Sequence, residues 1–300
     1  MECDAHDVET RAPRVNPSGV IAVVGALVTL ASWWRRPSRS TRVLWQGALA
    51  LGSFGALWFA GASAFAREGM SSLPVHMVSH IIVMFLVPIG LIYSGAARSF
   101  WWVLPVVARR RLLRWWYLNR RWHAPRVLAH PLTAAVVLNA VMVLAHSPRV
   151  FDAIMEHGWS MDWIMEPTFL LSGLYFFHFL VTSPPRANRV RLRWQLAMVV
   201  VTMAEMVVLA MAMSIFTQHS WYSVMDPIPG MPAMPGMGMH AATLAQAFSD
   251  QQLAAAILWI CGDFWAVPCL VVIVRRVIAR EGSLFAALDR SVDHQPSGVA

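Results

Sequence analysis

The sequence predicts an all-α, polytopic membrane helix bundle: seven transmembrane helices, the N-terminus outside and the C-terminus cytoplasmic. Three observations carry this. Of the 300 residues, 57% are hydrophobic and 13% charged, more apolar surface than a soluble core uses. The apolar residues fall into separate runs close to the span of about 17–25 residues that crosses a bilayer core. Every one of the 24 cationic residues is Arg, and they collect in alternate connecting segments, as the positive-inside rule requires.

Taken in order, residues 1–16 carry Glu2, Asp4, Asp7 and Glu9 and read as a disordered outer tail. An acidic start is unlike the basic opening of a signal peptide. The transmembrane domain covers 17–280. Its first helix runs from Pro17, suited to a first helical turn, to Trp34, and Arg35, Arg36, Arg39 and Arg42 follow. The second, from Val43 to Phe65, is rich in Gly and Ala, which favours close helix contact. After a turn over residues 67–72, helix three has Pro74 in its first turn and reaches Ser94, with a kink predicted at Pro88.

Residues 98–126 hold Arg98, Arg109, Arg110, Arg111, Arg114, Arg120, Arg121 and Arg126 among Trp115, Trp116 and Trp122. Two readings fit: an amphipathic helix on anionic membrane lipid, or an ordinary cytoplasmic loop. Helix four is placed at 131–146, and an acidic loop at 147–162 contains Asp152, Glu156, His157 and Asp162. Helix five spans 163–182, and Arg186, Arg189, Arg191 and Arg193 follow it. Helix six spans 194–216, a Met-rich outer loop 217–250, and helix seven 251–274. A polar cytoplasmic tail, 281–300, ends the chain. With the N-terminus outside, only Arg11, Arg14, Arg67 and Arg149 lie on the outer side. The net charge of +8 is therefore a topology signal and implies no nucleic-acid partner.

Several function classes drop out. Without Lys there is no Schiff base, so a retinal protein is excluded. The three Cys form no C-x-x-C, which removes thioredoxin-like and zinc-knuckle sites. No phosphate-binding loop, Ser-His-Asp arrangement or dinucleotide fingerprint is present, and the chain reads as a protein that is not an enzyme.

The chemistry-bearing residues gather at one end. His76 and His80 lie one turn apart on one face of helix three, and Met84 continues that stripe. Imidazole and thioether together suit copper, above all Cu(I). The bland alternative is one His at the headgroups and one hydrogen-bonded inside the bundle. At the same outer level come His146, closing helix four, His157, Glu166 opening helix five, His219, His240 and Asp250 opening helix seven. The outer loop adds Met225, Met231, Met234, Met237 and Met239. So much Pro and Gly separates these thioethers that no amphipathic face forms, and the loop reads as solvent-facing and suited to catching Cu(I) weakly. An unconstrained low-complexity loop is the alternative. Deeper down, Glu205 and Asp263 are costly in a membrane unless partnered or functional: two readings fit, a pair hydrogen-bonded across helices six and seven as glue, or ionisable groups with a role of their own.

These motifs carry a resemblance. His76-Met-Val-Ser-His80 resembles the His-Met-x-x-His signature of the CtaG-type cytochrome c oxidase assembly factors. His146-Ser-Pro-Arg-Val-Phe-Asp152 is similar to that family's His-x-Pro-x-x-Tyr-Asp stretch. Asp250-Gln251, with Ala254 and Trp259, resembles the opening of its last helix. The resemblance implies a copper-binding assembly factor in the bacterial plasma membrane. It would deliver copper to the CuB centre of cytochrome c oxidase subunit I, with upstream copper chaperones as further partners. It carries over His76, His80, His146, Asp250 and Glu166. Trp163 and Pro167 replace the two His of the family's His-x-x-Glu-His, a loss the Met-rich loop and His240 would offset. A copper transporter or resistance protein would instead need ligands at successive depths, for which Met203, Met206, Cys261 and Cys269 are the candidates. A b-type haem protein would absorb near the Soret region, whereas Cu(I) is colourless.

Overall fold

A computed structural model of the chain describes residues 16–35, 40–118, 128, 130–181, 192–227, 239–241, 243–283 and 285. Residues 1–15, 284 and 286–300 of the expected terminal tails and the centre of the Met-rich loop, with Met231, Met234 and Met237, lie outside the described residues.

Among those described, every regular element is helical. α1 is Pro17–Trp34, α2 Thr41–Ala62, α3 Ala64–Glu68 and α4 Leu73–Ser94. α5 (Ala96–Val103) and α6 (Val106–Leu118) follow, then α7 (Pro131–His146), α8 (Pro148–Glu156) and α9 (Met161–Val181). α10 is Leu192–Ser214 and α11 Leu244–Glu281. Six helical stretches are long and apolar enough to cross a membrane. The expected fourth span is different: α7 alone is short, and α7 and α8 meet at a bend of 71°, so seven spans are reached only if that bent pair counts as one. The architecture is that of a multi-pass membrane protein.

Local chemistry sets the boundaries. Asn16 caps α1, its side-chain oxygen accepting from the Ser18 and Gly19 amides at 2.8 and 3.2 Å. Pro105 separates α5 from α6, because the residue before a proline is pushed out of the helical region and Leu104 is extended. The Arg-rich stretch is thus helical through Leu118, and its exposed Val106, Val107, Leu112, Leu113 and Trp115 suit a lipid surface. The expected acidic loop is largely helix: Pro148 starts α8, which turns Phe151 inward and leaves Glu156 exposed. α11 begins seven residues before the expected start, where Thr243 caps it by accepting from the Gln246 amide at 3.1 Å. The polar residues of that first stretch hid the helix, and Asp250 lies nearly two turns inside it.

α4 and α9 form the centre. Just over half of α4 and 61% of α9 are buried, against 28% of α1. α4 touches α2, α9 and α11, while α7 lies between α9 and α10, and α10 packs along α11. Each central helix contains a π turn, Ile82–Leu86 in α4 and Met161–Met165 in α9, placed just before Pro88 and Pro167. Proline lacks the N–H that would bond the carbonyl four residues back. In α4 that carbonyl belongs to Met84, and Gly173 of α9 lies directly against it; a Cβ at Gly173 would collide with the Met84 oxygen. The expected kink is therefore a π turn with α9 seated into it. We expect Gly173→Val to lower the yield of folded protein sharply in detergent extraction and Gly262→Ala, where a Cβ meets open space, to leave it unchanged.

Candidate metal centre

The His-bearing end of the bundle brings the predicted imidazoles together. α4 presents His76 and His80 inward, and both are buried, as is His146 at the end of α7. The His76 and His80 rings are 4.0 Å apart between centroids and the His80 and His146 rings 6.3 Å. Phe151 and Phe169 wall the cluster, at 5.4 Å from His76 and 4.4 Å from His80.

Hydrogen bonds fix how two of the rings face. His76 Nδ1–H donates to the Gly69 carbonyl at 3.2 Å, and His146 Nδ1–H to the Met142 carbonyl at 2.7 Å. A ring that donates from Nδ1 keeps its lone pair on Nε2, the arrangement in which metal-binding His is held by a backbone carbonyl. His146 Nε2 lies 3.2 Å from Met77 Sδ. His76 Nε2 and both nitrogens of His80 are buried without a hydrogen-bond partner among the described residues. Buried polar atoms are ordinarily paired, so three unpaired ring nitrogens in one cluster are a structural anomaly that a bound cation would resolve.

The donor set discriminates among cations. Among the described residues, no group of three or more His, Cys, Asp or Glu side chains is arranged to hold a metal ion. A preformed tetrahedral zinc site or an oxygen cage is therefore absent there. What is present is the His76–His80 pair beside a Met77–His146 pair, nitrogen and thioether sulfur, which fits a soft cation of low coordination number such as Cu(I). The sulfur comes from Met77, between the two His in sequence. The expected thioether, Met84, is buried in the π turn one turn further along.

The other candidates sort as follows. Glu166 is buried, but it accepts from Ser18 Oγ at 2.5 Å and lies against Gly61, at the junction of α1, α2 and α9. Asn16 ties the same junction by donating to the Gly61 carbonyl at 2.6 Å. Met225 and Met239, expected to face solvent, are core residues at 1% and 5% exposure. They are buried because the loop is pinched at its base. The Ala241 amide donates to the Met225 carbonyl at 3.0 Å, and His240 Nδ1–H to the Asp226 carbonyl at 2.8 Å. Asp250 is half-buried. Glu205 and Asp263 do not pair: Asp263 is exposed, and both Glu205 carboxylate oxygens are buried without a hydrogen-bond partner among the described residues. Of the possible deeper copper ligands, Met206 already accepts from Trp265 Nε1 at 3.4 Å.

Sequence reasoning missed the cover over the cluster. Fully buried Tyr222 lies on Phe151, 4.1 Å between ring centroids, and donates to the His146 carbonyl at 3.3 Å. Burial, and then the Asp152 carboxylate, push its phenol above the ordinary range, keeping the proton it donates. Asp152 holds the next residues, accepting from Ser223 Oγ at 2.7 Å and from the Ser223 amide at 3.1 Å. Gln251 of α11 donates to the Met213 carbonyl and accepts from the Trp221 amide, both at 2.7 Å. The Asp250-Gln251 motif was the available signal, and its structural weight lies on the Gln.

Two curated proteins, both named as uncharacterized, from Mycobacterium bovis and Mycobacterium tuberculosis, are each 22% identical over 291 residues. Each match takes in 93% of this chain and 40% of the relative, so the chain spans well under half of their length. No solved structure matches. A family profile described as cytochrome c oxidase caa3 assembly factor matches residues 26–280, from the middle of α1 to the end of α11. The chain belongs to the cytochrome c oxidase caa3 assembly factor family.

Proposed function

We propose that the chain binds Cu(I) at the His76–His80 pair, beside the Met77–His146 pair, and passes it to cytochrome c oxidase subunit I during assembly. The observation that carries this reading is the set of three unpaired ring nitrogens, His76 Nε2 and both of His80, buried beside a thioether. Copper here is cargo. Ligand exchange between thioether and imidazole requires no nucleophile, base or nucleotide, in keeping with a family of assembly factors. The Gly69 and Met142 carbonyls hold the rings by their Nδ1–H groups and aim the Nε2 lone pairs. Phe151, Phe169 and Tyr222 exclude water from them. The direct test is copper per protein after reductive loading of the purified chain: about one bound Cu(I) supports the proposal, and none refutes it.

In this reading the His-bearing end faces outward across a bacterial plasma membrane, with the Arg-rich segments cytoplasmic. Single-Cys variants at Ser220 and Ala233, in a chain lacking Cys3, Cys261 and Cys269, should react with an impermeant thiol reagent on intact cells. Variants at Ser38 and Asn188 should not. Labelling of the second pair alone would reverse the orientation and put the site on the wrong side for the oxidase copper centre.

The Met-rich loop acts as the catching element, with upstream copper chaperones as donors. Replacing Met231, Met234 and Met237 with Leu should lower oxidase activity severalfold at limiting copper, and added copper should restore it. Met239→Leu alone should do neither, because that side chain is already in the core. A triple variant with normal oxidase at limiting copper would remove the loop from the pathway.

A further inference from the structure

α11 carries a carboxylate that the bundle does not use. Asp263 is the one charged residue between Gln252 and Arg275. It stands eleven residues after the first and twelve before the second, roughly 17 and 18 Å along the helix axis. A hydrocarbon core is about 30 Å thick, so this acid sits at mid-bilayer.

Its direction follows from its neighbours. Trp265, two residues on and about 200° round the helix, is in the core, where it packs on Phe85, Phe176 and Phe177 and donates to Met206 Sδ. Cys261, Cys269 and Ile273 are buried on that same side. Asp263 points the other way and is exposed, as are Ile260, Phe264 and Val267 around it. No hydrogen bond or ion pair engages it among the described residues.

A second acceptor lies beside it. Pro268 is inside α11 and exposed, and it has no N–H for the carbonyl four residues back, that of Phe264. In α4 the carbonyl left open by Pro88 is covered by Gly173 of α9. In α11 the corresponding carbonyl is on the open face, because Phe264 and Pro268 are both exposed. A Cβ at Gly262 meets open space, which leaves room for another backbone to come close.

An acid facing hydrocarbon is costly, and intramembrane acids ordinarily have a partner. Prolines inside membrane helices are tolerated where a neighbouring helix supplies the missing donor. Both deficits have one chemical remedy, a cationic group with several N–H donors. We propose that this face of α11 docks a transmembrane helix of another protein, one that carries a basic side chain, Arg above all, at mid-bilayer. A guanidinium has five donors in a fixed fork, enough to pair the Asp263 carboxylate and reach the Phe264 carbonyl. Ala256, Ile260, Val267 and Val271 give the apolar contact above and below.

A second copy does not supply that charge. Among the described spans the exposed or half-exposed basic groups lie near the ends: Arg42 in the first turn of α2, Arg193 in the first turn of α10, Arg275 and Arg276 late in α11, and His178 in the last turn of α9. Two copies related by a twofold axis through this face would set Asp263 against Asp263, and like charges at close range repel. Charge complementarity therefore selects a different chain.

The probe is a synthetic transmembrane helix of about 23 Leu and Ala residues with one central Arg, compared with the same peptide centred on Leu. Energy transfer from the donor-labelled, copper-free full chain to each acceptor-labelled peptide is measured in phosphatidylcholine vesicles. The wild type should bind the Arg peptide about tenfold more tightly than the Leu peptide, the scale of a polar contact between membrane helices. Asp263→Leu and Asp263→Asn should lose that preference, and Asp263→Glu should keep it. Pro268→Leu, which returns an N–H to the Phe264 carbonyl, should lower it about threefold. The side chain at 263 faces lipid, so the variants should fold; if Asp263→Leu does not, Asp263→Asn carries the test. Equal binding of the two peptides by the wild type, or a preference that survives in Asp263→Asn, overturns the docking site. Energy transfer between labelled copies of the wild type that disappears in Asp263→Leu would make a second copy the occupant and overturn it as well. An unchanged preference in Pro268→Leu overturns the part given to the carbonyl.

Discussion

His80→Leu is expected to abolish stoichiometric Cu(I) binding while making the copper-free protein more heat-stable. The two effects come from one structural fact. Both His80 ring nitrogens are buried and unpaired among the described residues, between His76 and Phe169. A buried polar group without a partner costs about 1–3 kcal/mol, so an apolar side chain of similar size removes a penalty instead of a bond. If His80 were simply structural, its loss would destabilise the fold or leave it unchanged. His76→Ala should also lose copper, but with lower stability, because it forfeits the bond to Gly69 and leaves a cavity.

Losing a ligand should weaken copper affinity by more than the roughly 10–100-fold typical of losing a group behind a ligand. In cells, both variants should leave the oxidase short of copper even when copper is supplied, with haem content affected less. Differential scanning fluorimetry of the copper-free protein and copper analysis of the purified oxidase check the two halves. Normal oxidase copper with His80→Leu would show that the cluster is not the holding site.

The central helices were legible because their signals are periodic: apolar length, Pro at the first turn of α1, α4 and α7, and Arg in alternate segments. The His pair was legible for the same reason, since four-residue spacing fixes a common face. What escaped was decided by tertiary contact. The amides of α8 and of the first turns of α11 are helical despite polar sequence, because Pro148 and Thr243 start those helices. Met77 reaches His146 across 69 residues of chain, which no spacing rule encodes. Pro and Gly suggested an open loop around Met225 and Met239, yet the Met225–Ala241 bond closes its base and buries both. Glu205 and Asp263 matched in depth but not in direction around their helices, and sequence offers no angle between two helices. The family motifs located the right segments and were silent on which residue bears the structural load.

Gln251 is where that silence matters most. Its amide donates to the Met213 carbonyl at 2.7 Å and to Thr217 Oγ1 at 3.4 Å, and its oxygen accepts from the Trp221 amide at 2.7 Å. One buried side chain therefore joins α11 to the end of α10 and to the residue preceding Tyr222. Tyr222 in turn covers Phe151 and the His146 carbonyl. Gln251→Leu is close in volume but strands the Trp221 amide, worth about 1–3 kcal/mol if it stays buried, and leaves the Met213 carbonyl with the Thr217 hydroxyl alone, at 2.9 Å. The strain is relieved if the segment lifts, and the segment that lifts is the cover over the imidazoles. We expect the variant to bind a normal amount of Cu(I) after reductive loading, because no ligand is touched. Copper transfer to a Cu(I) chelator should be faster by about tenfold or more, since about 1.4 kcal/mol of lost cover is worth a factor of ten. The exposed neighbour provides the control: Gln252→Leu should release copper at the wild-type rate. Equal release from Gln251→Leu and wild type would mean that Tyr222 does not gate the cluster, and that copper leaves by a route on its other side.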